Sequence, residues 1–341
     1  MPNEKLIYSK EELLADHPYA KRQSEAGLAL HGGFDADGVY LSPRTYNRWP
    51  AVKAWQKQLG DRGFPLVEAD QKLLSAPNFP SDAQQKLLVK NGLSKTLSDA
   101  LTITGVIEGK GLALVSLQGP DFQEIIKEDI SQTALGHLNK GLLAAHGMDE
   151  GGRPDSGEGG HDVMWFAVRD VLFGKDAYPE PAIPDGIARA STKEREMPQI
   201  PPFHEMILNL LTNVLMIEVR AERFFSFCQS VFMDPELFLD RREGAELASE
   251  IVERIRQDEA IHVAYLQLAV SEFRSFTIKT KDGSEVPGSE ILDPYWDGMV
   301  KWHSDALQQV QIKRQQKQVV EMILAHEKGD VLLKDFNALA S

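Results

Sequence analysis

Two long helix-period segments, each with carboxylates on its apolar face, constrain this chain more than anything else in it. The first runs from Phe203 to about Met233 and is closed by Asp234-Pro235. The second runs from Gly244 to about Phe276 and is closed by Lys281-Asp282-Gly283. On the second, Glu259 and His262 stand at i and i+3, so their side chains share a face about 5–6 Å apart at Cβ. Ile255 and Ala269 lie on the same stripe, with Val263 and Leu266 on its flank. An unpaired carboxylate facing such a core is costly, and a carboxylate and an imidazole at this spacing can ligate one metal ion. On the first segment, Glu218 and Glu222 stand at i and i+4 among Leu211, Val214, Leu215, Phe225 and Cys228. Two like charges there repel and lose hydration, and a divalent or trivalent cation relieves both. The turn between the segments centres near position 239. At roughly 1.5 Å per residue, Glu218 and Glu259 then reach the same height. Three carboxylates and one imidazole fall in one layer of a core. The competing reading is a buried ion-pair network with Arg220, Arg254 or Arg256.

The rest of the chain is organised around these helices. Residues 1–80 hold HGGFDADG (31–38), SPRTYNRWP (42–50) and SAPNFPSD (75–82), rich in turn formers, with short helical pieces at Glu11–Leu14 and Ala51–Leu59. They predict an irregular N-terminal arm packed on the core. Ser81 caps a short helix that stops at Asn91-Gly92. A helix is expected from Ser94 to Leu117, then a break at Gln118-Gly119-Pro120. A long amphipathic helix should follow from Asp121 to about His146, forming a hairpin with the one before. Residues 147–160 read as a glycine-rich loop, His161–Phe173 as a short apolar helix, and Tyr178–Pro202 as a proline-rich connection. A last helix is expected from Pro294 to Glu327, its polar second half solvated or facing another subunit. Strand signals are weak, and Thr277–Lys281 could be an edge or a loop. The class is all-α: an arm at 1–80, a helical bundle at 81–277 with a crossover at 147–202, and a C-terminal helical extension at 278–341.

The Asp258-Glu259-Ala-Ile-His262 run, with Glu218 or Glu222 at matched height, resembles the ferritin-like di-iron carboxylate superfamily. That resemblance implies a four-helix bundle of two hairpins joined by one long crossover. A Glu would come from each of two helices and a Glu-x-x-His from each of the other two. It implies that the first hairpin contributes Glu108 and Glu128, each about ten residues from the turn at Gly119. Position 131 is Ser where the pattern has His, and the nearest His on that segment is His137. In another register, 121–146 and 161–173 pair and bring His137 and Asp170 to the site. The only other Glu-x-x-His, Glu158-Gly-Gly-His161, holds two glycines and reads as a loop or a helix start.

Hard carboxylates with one or two imidazoles suit iron, as two ions, with manganese as the alternative. The resemblance implies an oxygenase or oxidase that activates O2 to oxidise a small organic substrate, with an electron donor as a further partner. Trp165, Phe166, Phe173, Phe224 and Phe225 are candidates to line its pocket or to pack the core. Two other functions fit the same residues: a non-catalytic helical scaffold with a buried carboxylate network, and a peroxide-scavenging di-metal protein. The net charge of −14, without a Lys/Arg run, argues against nucleic acid. The most apolar stretch, Met206–Val219, is interrupted by Asn209, Asn213 and Glu218, which argues against a membrane span. A single cysteine, Cys228, excludes an intramolecular disulfide, and MPNEKLIYSK has no apolar leader, so a cytoplasmic protein is expected. The C-terminal helix is the expected surface for a homo-oligomer.

Overall fold

Helices dominate the structure, as the apolar periodicity predicts. The computed structural model describes residues 5–74, 79–184, 188–189 and 194–339. The first four positions, parts of 75–82 and of 178–202, and residues 340–341 lie outside them.

The arm is more regular than its turn formers suggest. It holds α1 (Lys10–Leu13), an antiparallel sheet of β1 (Lys21–Glu25), β2 (Leu28–Phe34) and β3 (Tyr40–Leu41), and then α2 (Thr45–Asp61). The strands escape a period-2 search because β2 carries Gly32 and Gly33 where side chains would alternate. A Cβ on Gly33 would meet the Tyr19 ring at 2.8 Å. Next comes α3 (Asp82–Lys90), with Ser81 and Gln84 forming a capping box and Gly92 ending it at positive φ. After α4 (Lys95–Lys110) the chain tightens into a 3-10 turn at Gly111–Val115.

The single helix expected over 121–146 does not form. Residues 125–127 instead pair along β4 (Thr277–Lys279), which is itself paired with β5 (Glu285–Pro287). Lys279 donates to the Ile125 carbonyl at 2.7 Å, and Lys127 to that of Thr277 at 3.0 Å. The buried Glu272 carboxylate then accepts the backbone N–H of Ala134 and Leu135, at 3.1 and 2.8 Å. After a 3-10 turn at Leu135–His137 and a π turn at Leu138–Leu142 that is broken at Gly141 (φ +126°), regular α-helix begins in α5 (Leu143–Gly151). In turn, 147–151 belongs to α5, although its glycines suggest a loop.

Then follow α6 (His161–Phe173), α7 (Pro202–Phe232) and α8 (Arg242–Ser275). The expected C-terminal helix is divided into α9 (Gly288–Lys301), a π turn at Trp302–Ala306, α10 (Leu307–Leu324) and α11 (Gly329–Ala338). Helix α8 is central: α7, α6, α2 and α9 all pack on it. Among the described residues, no helix is long and apolar enough to cross a membrane.

Among the described residues the core is divided into three clusters; the smallest, Leu88 of α3 with Val319, Ile323, Leu332 and Phe336 of the C-terminal helices, lies apart, and the other two flank the charged residues. Leu208, Leu211 and Leu215 of α7 join Tyr265 and Phe273 of α8 and Trp55 of α2 in one apolar cluster. Phe225 and Phe232 of α7, Ile251 and Ile255 of α8 and Trp165 of α6 form a second. Glu218, Asp258, Glu259 and His262 occupy the seam between them.

Close packing at the seam depends on glycine. A Cβ on Gly147 would meet the Val115 backbone nitrogen at 2.8 Å, and one on Gly111 would meet the Glu150 Cγ at 2.6 Å. The first neighbour is backbone and cannot turn aside. Gly147→Ala is therefore expected to destabilise the protein by about 1–3 kcal/mol in urea unfolding, despite the better helix propensity of alanine. Gly60→Ala, at a helical position with nothing within 4 Å, should instead stabilise by up to about 1 kcal/mol.

Candidate metal centre

Five helices bring ionisable side chains to the seam. Glu259 and His262 project from α8 three residues apart, and His146 and Glu150 from α5 four apart, so each pair shares a helix face. Glu218 comes from the middle of α7 and His161 is the first residue of α6. Glu108 lies in the last turn of α4, where the helix dipole disfavours an anion. Two groups result, each with one candidate ligand atom per residue and all atoms within 4.8 Å of one another. One is His146, Glu150, Glu218 and His262; the other is Glu108, Glu150, His161 and Glu259. Glu150 belongs to both.

The inner atoms converge, and three of them, Glu150 Oε1, His161 Nδ1 and Glu259 Oε1, find no hydrogen-bond partner among the described residues. Glu150 Oε1 lies 3.3 Å from His146 Nε2, 3.3 Å from His262 Nδ1 and 3.7 Å from His161 Nδ1. It makes no hydrogen bond among the described residues. His161 Nδ1 and Glu259 Oε1 approach to 3.0 Å and also make none. Glu218 Oε1 is 3.3 Å from His146 Nε2, and His262 Nδ1 is 2.6 Å from Glu259 Oε2. Buried polar atoms aimed at common points, rather than at single partners, are what cation ligation needs. The residues present fit a pair of metal ions.

The outer face of each imidazole is held. His262 Nε2 lies 2.9 Å from Asp149 Oδ2. Arg44 Nε donates to the other oxygen of Asp149 at 2.7 Å, and Arg48 Nη2 donates to Oδ2 at 2.6 Å. His161 Nε2 lies 3.4 Å from Asp258 Oδ2, which accepts the Tyr40 hydroxyl at 2.9 Å and faces His31 Nε2 at 3.1 Å. His146 Nδ1 is 2.7 Å from the Tyr265 hydroxyl. A proton held on the outer nitrogen leaves the inner one as a lone pair for a metal. The N-terminal arm thus supplies Arg44, Arg48, Tyr40 and His31 to this shell. His31, His161 and Asp258 form a third close group, but the Arg44 guanidinium is 3.4 Å from His31 Nδ1 and repels a cation there.

Charge points the same way. Glu108, Glu150, Glu218, Glu259, Asp149 and Asp258 outnumber Arg44 and Arg48 by four, which two divalent ions neutralise. Without ions, protons take that place. Burial and the neighbouring Glu259 charge push the Glu218 carboxyl up, and burial with Glu150 does the same to Glu108. Burial alone would depress His161 and His262, yet the Glu259 charge holds both well above the usual imidazole range. Burial would likewise raise Asp149, but Arg44 and Arg48 keep it well below the usual carboxylate range.

Of the residues the sequence singles out, Glu218, Glu259, His262 and Glu108 meet in this cluster. Glu222, Glu128 and His137 do not. Glu222 points to the rim of α7 and pairs with Arg256, the ion-pair alternative realised at one position. Glu128 lies outside any helix and accepts the Thr277 backbone N–H and hydroxyl, at 2.9 and 2.8 Å. His137 is buried elsewhere: its Nε2 accepts the Tyr8 N–H at 3.1 Å, and its Nδ1 lies 2.7 Å from the Thr133 carbonyl. Asp170 pairs with Arg169 on α6. The sequence reading missed Glu150, His146 and His161. Its one usable signal was His146 and Glu150 at i and i+4, masked by the glycines between and after them.

Asp149→Asn leaves Arg44 and Arg48 facing each other in a dry interior. It is expected to cost roughly 3–5 kcal/mol in urea unfolding, against less than about 1 kcal/mol for Glu222→Gln at its half-exposed pair. No family model, curated protein or solved structure matches the chain, so what the cluster does must be inferred from its own geometry.

Proposed function

We propose that the protein is a non-haem di-metal oxidoreductase that holds two iron or manganese ions and uses O2 to oxidise a small organic substrate. The observation that carries this is Glu150. Its fully buried Oε1 stands among three imidazole nitrogens without a hydrogen bond, in both groups of candidate ligands. One ion would be held by His146, Glu150, Glu218 and His262, and the other by Glu108, Glu150, His161 and Glu259. Iron or manganese held by these residues would supply the redox chemistry for dioxygen. The chain's own contributions are distinct from that chemistry. Asp149, Asp258 and Tyr265 fix the imidazole rings, and the two apolar clusters exclude bulk water. Glu108, the most exposed member, marks the side from which a small molecule would enter.

The donor set supports kinship with ferritin-like di-iron proteins in a modified form. Glu108 and Glu218 stand as the single glutamates, and Glu259-x-x-His262 as one helical pair. The second pair is His146-x-x-x-Glu150, in reversed order but still on one helix face. His161, from the segment expected to be only a crossover, is an addition. The seclusion of the cluster, with Glu150, Glu218, Glu259 and the three histidines at most 6% exposed, also suits the alternative function, a peroxide-scavenging di-metal protein that admits no bulky substrate.

Metal analysis of protein purified without an affinity tag decides the matter. About two iron or manganese ions per chain are expected, since a preorganised four-donor site retains its ion through purification. Glu150→Ala should lose both and Glu108→Ala should lose one, whereas Glu222→Ala and Glu128→Ala should retain both. Reduced protein should then be reoxidised by O2 faster than by peroxide; the reverse order favours the scavenging function. Wild-type protein that retains no iron or manganese after reconstitution refutes a metal role.

A further inference from the structure

The two groups of candidate ligands at the seam are not equivalent. Glu150 belongs to both, so the difference lies in the other members. The first set adds the imidazoles of His146 and His262 and the carboxylate of Glu218. The second adds the imidazole of His161 and the carboxylates of Glu108 and Glu259. With Glu150 counted, two imidazoles and two carboxylates stand against one imidazole and three carboxylates. The ferritin-like pattern gives each half of its site one imidazole. The imbalance therefore belongs to this chain, and it arises where His146 and Glu150 share α5 and His161 enters from α6.

The geometry directs both nitrogens of the first set to one place. The rings of His146 and His262 are stacked, with centroids 3.8 Å apart and planes 10° apart. Nε2 of His146 and Nδ1 of His262 each lie 3.3 Å from Glu150 Oε1. Their outer nitrogens are taken by Tyr265 and Asp149. In the second set the single inner nitrogen, His161 Nδ1, stands 3.0 Å from Glu259 Oε1, and neither atom has a hydrogen-bond partner among the described residues. Glu108 completes this set from the last turn of α4 and is its half-buried member, so the second set is the one nearer to water. Donor type sorts divalent ions of similar charge and size. Imidazole favours iron over manganese, whereas carboxylate and water suit manganese.

We propose that the two positions select different ions. The set of His146, Glu150, Glu218 and His262 takes iron, and the set of Glu108, Glu150, His161 and Glu259 takes manganese, so that the protein carries a mixed pair. This selection rests on the di-metal function proposed above, and it separates two ions that the function alone leaves interchangeable.

The test uses the full chain, stripped by a chelator and then given equal iron(II) and manganese(II) in excess without oxygen. Crystals of the loaded protein are measured on either side of the iron and manganese K edges, which identifies the ion at each position without reference to activity. The ratio of iron to manganese is expected to be several-fold higher at the His146–His262 position than at the His161 position. Glu108→His gives the second set another nitrogen and should raise the iron share there, and in the whole protein by metal analysis. Glu222→Gln, outside the cluster, should change neither. Equal or reversed ratios, or one position that stays empty, overturn the selection and leave a metal role standing. So does a folded Glu108→His protein with an unaltered iron share. No ion at either position overturns the metal role as well. Should Glu108→His fail to fold, the wild-type ratios still decide.

Discussion

Asp149 is the constraint on which the rest of the seam depends. It is one carboxylate, fully buried, contacted by two guanidiniums and an imidazole. Through it the N-terminal arm is tied to the end of α5, and the end of α5 to the middle of α8. A pair of buried arginines so close together is stable only with that counter-charge between them. The orientation of His262 follows, and with it the direction of the inner nitrogen. Asp258 does the same for His161 through His31 and Tyr40, so both aspartates link arm residues to bundle histidines.

The seam also explains why glycine gathers around α5. Carboxylates from different helices can share a cation only if their backbones approach closely. Gly111, Gly147 and Gly151 remove the side chains that would hold α5 away from the 3-10 turn after α4; a Cβ on Gly151 would meet Leu112 at 2.6 Å. Here glycine serves contact between elements rather than freedom within a loop.

That dual use limits what the sequence discloses. The α7–α8 hairpin is legible because its apolar repeat is long and its carboxylates interrupt it at helical spacing. From it Glu218, Glu259 and His262 follow directly. Glu222 is a near neighbour on the same repeat, and one further turn carries it to the rim where Arg256 waits. Sequence spacing does not resolve a rotation of that size. Glu150 and His146 are hidden because a glycine-dense stretch reads as a loop. Glu128 and His137 mislead because 121–146 has helical periodicity, yet its backbone is claimed by β4 and by Glu272. Arg44, Arg48, His31 and Tyr40 lie more than a hundred residues from their partners on α5 and α8, and no local pattern connects them.

The division of the core has a consequence for how the molecule holds together. Apolar contact is continuous within each cluster, while a layer of buried ionisable side chains stands between the two. Lengths of α7 and α8 pass through both halves, so a disturbance of the seam is transmitted along two rods. Seen this way, the buried charged layer is a mechanical joint between these two clusters, and the balance of its charges bears on whether they melt as one body or as two.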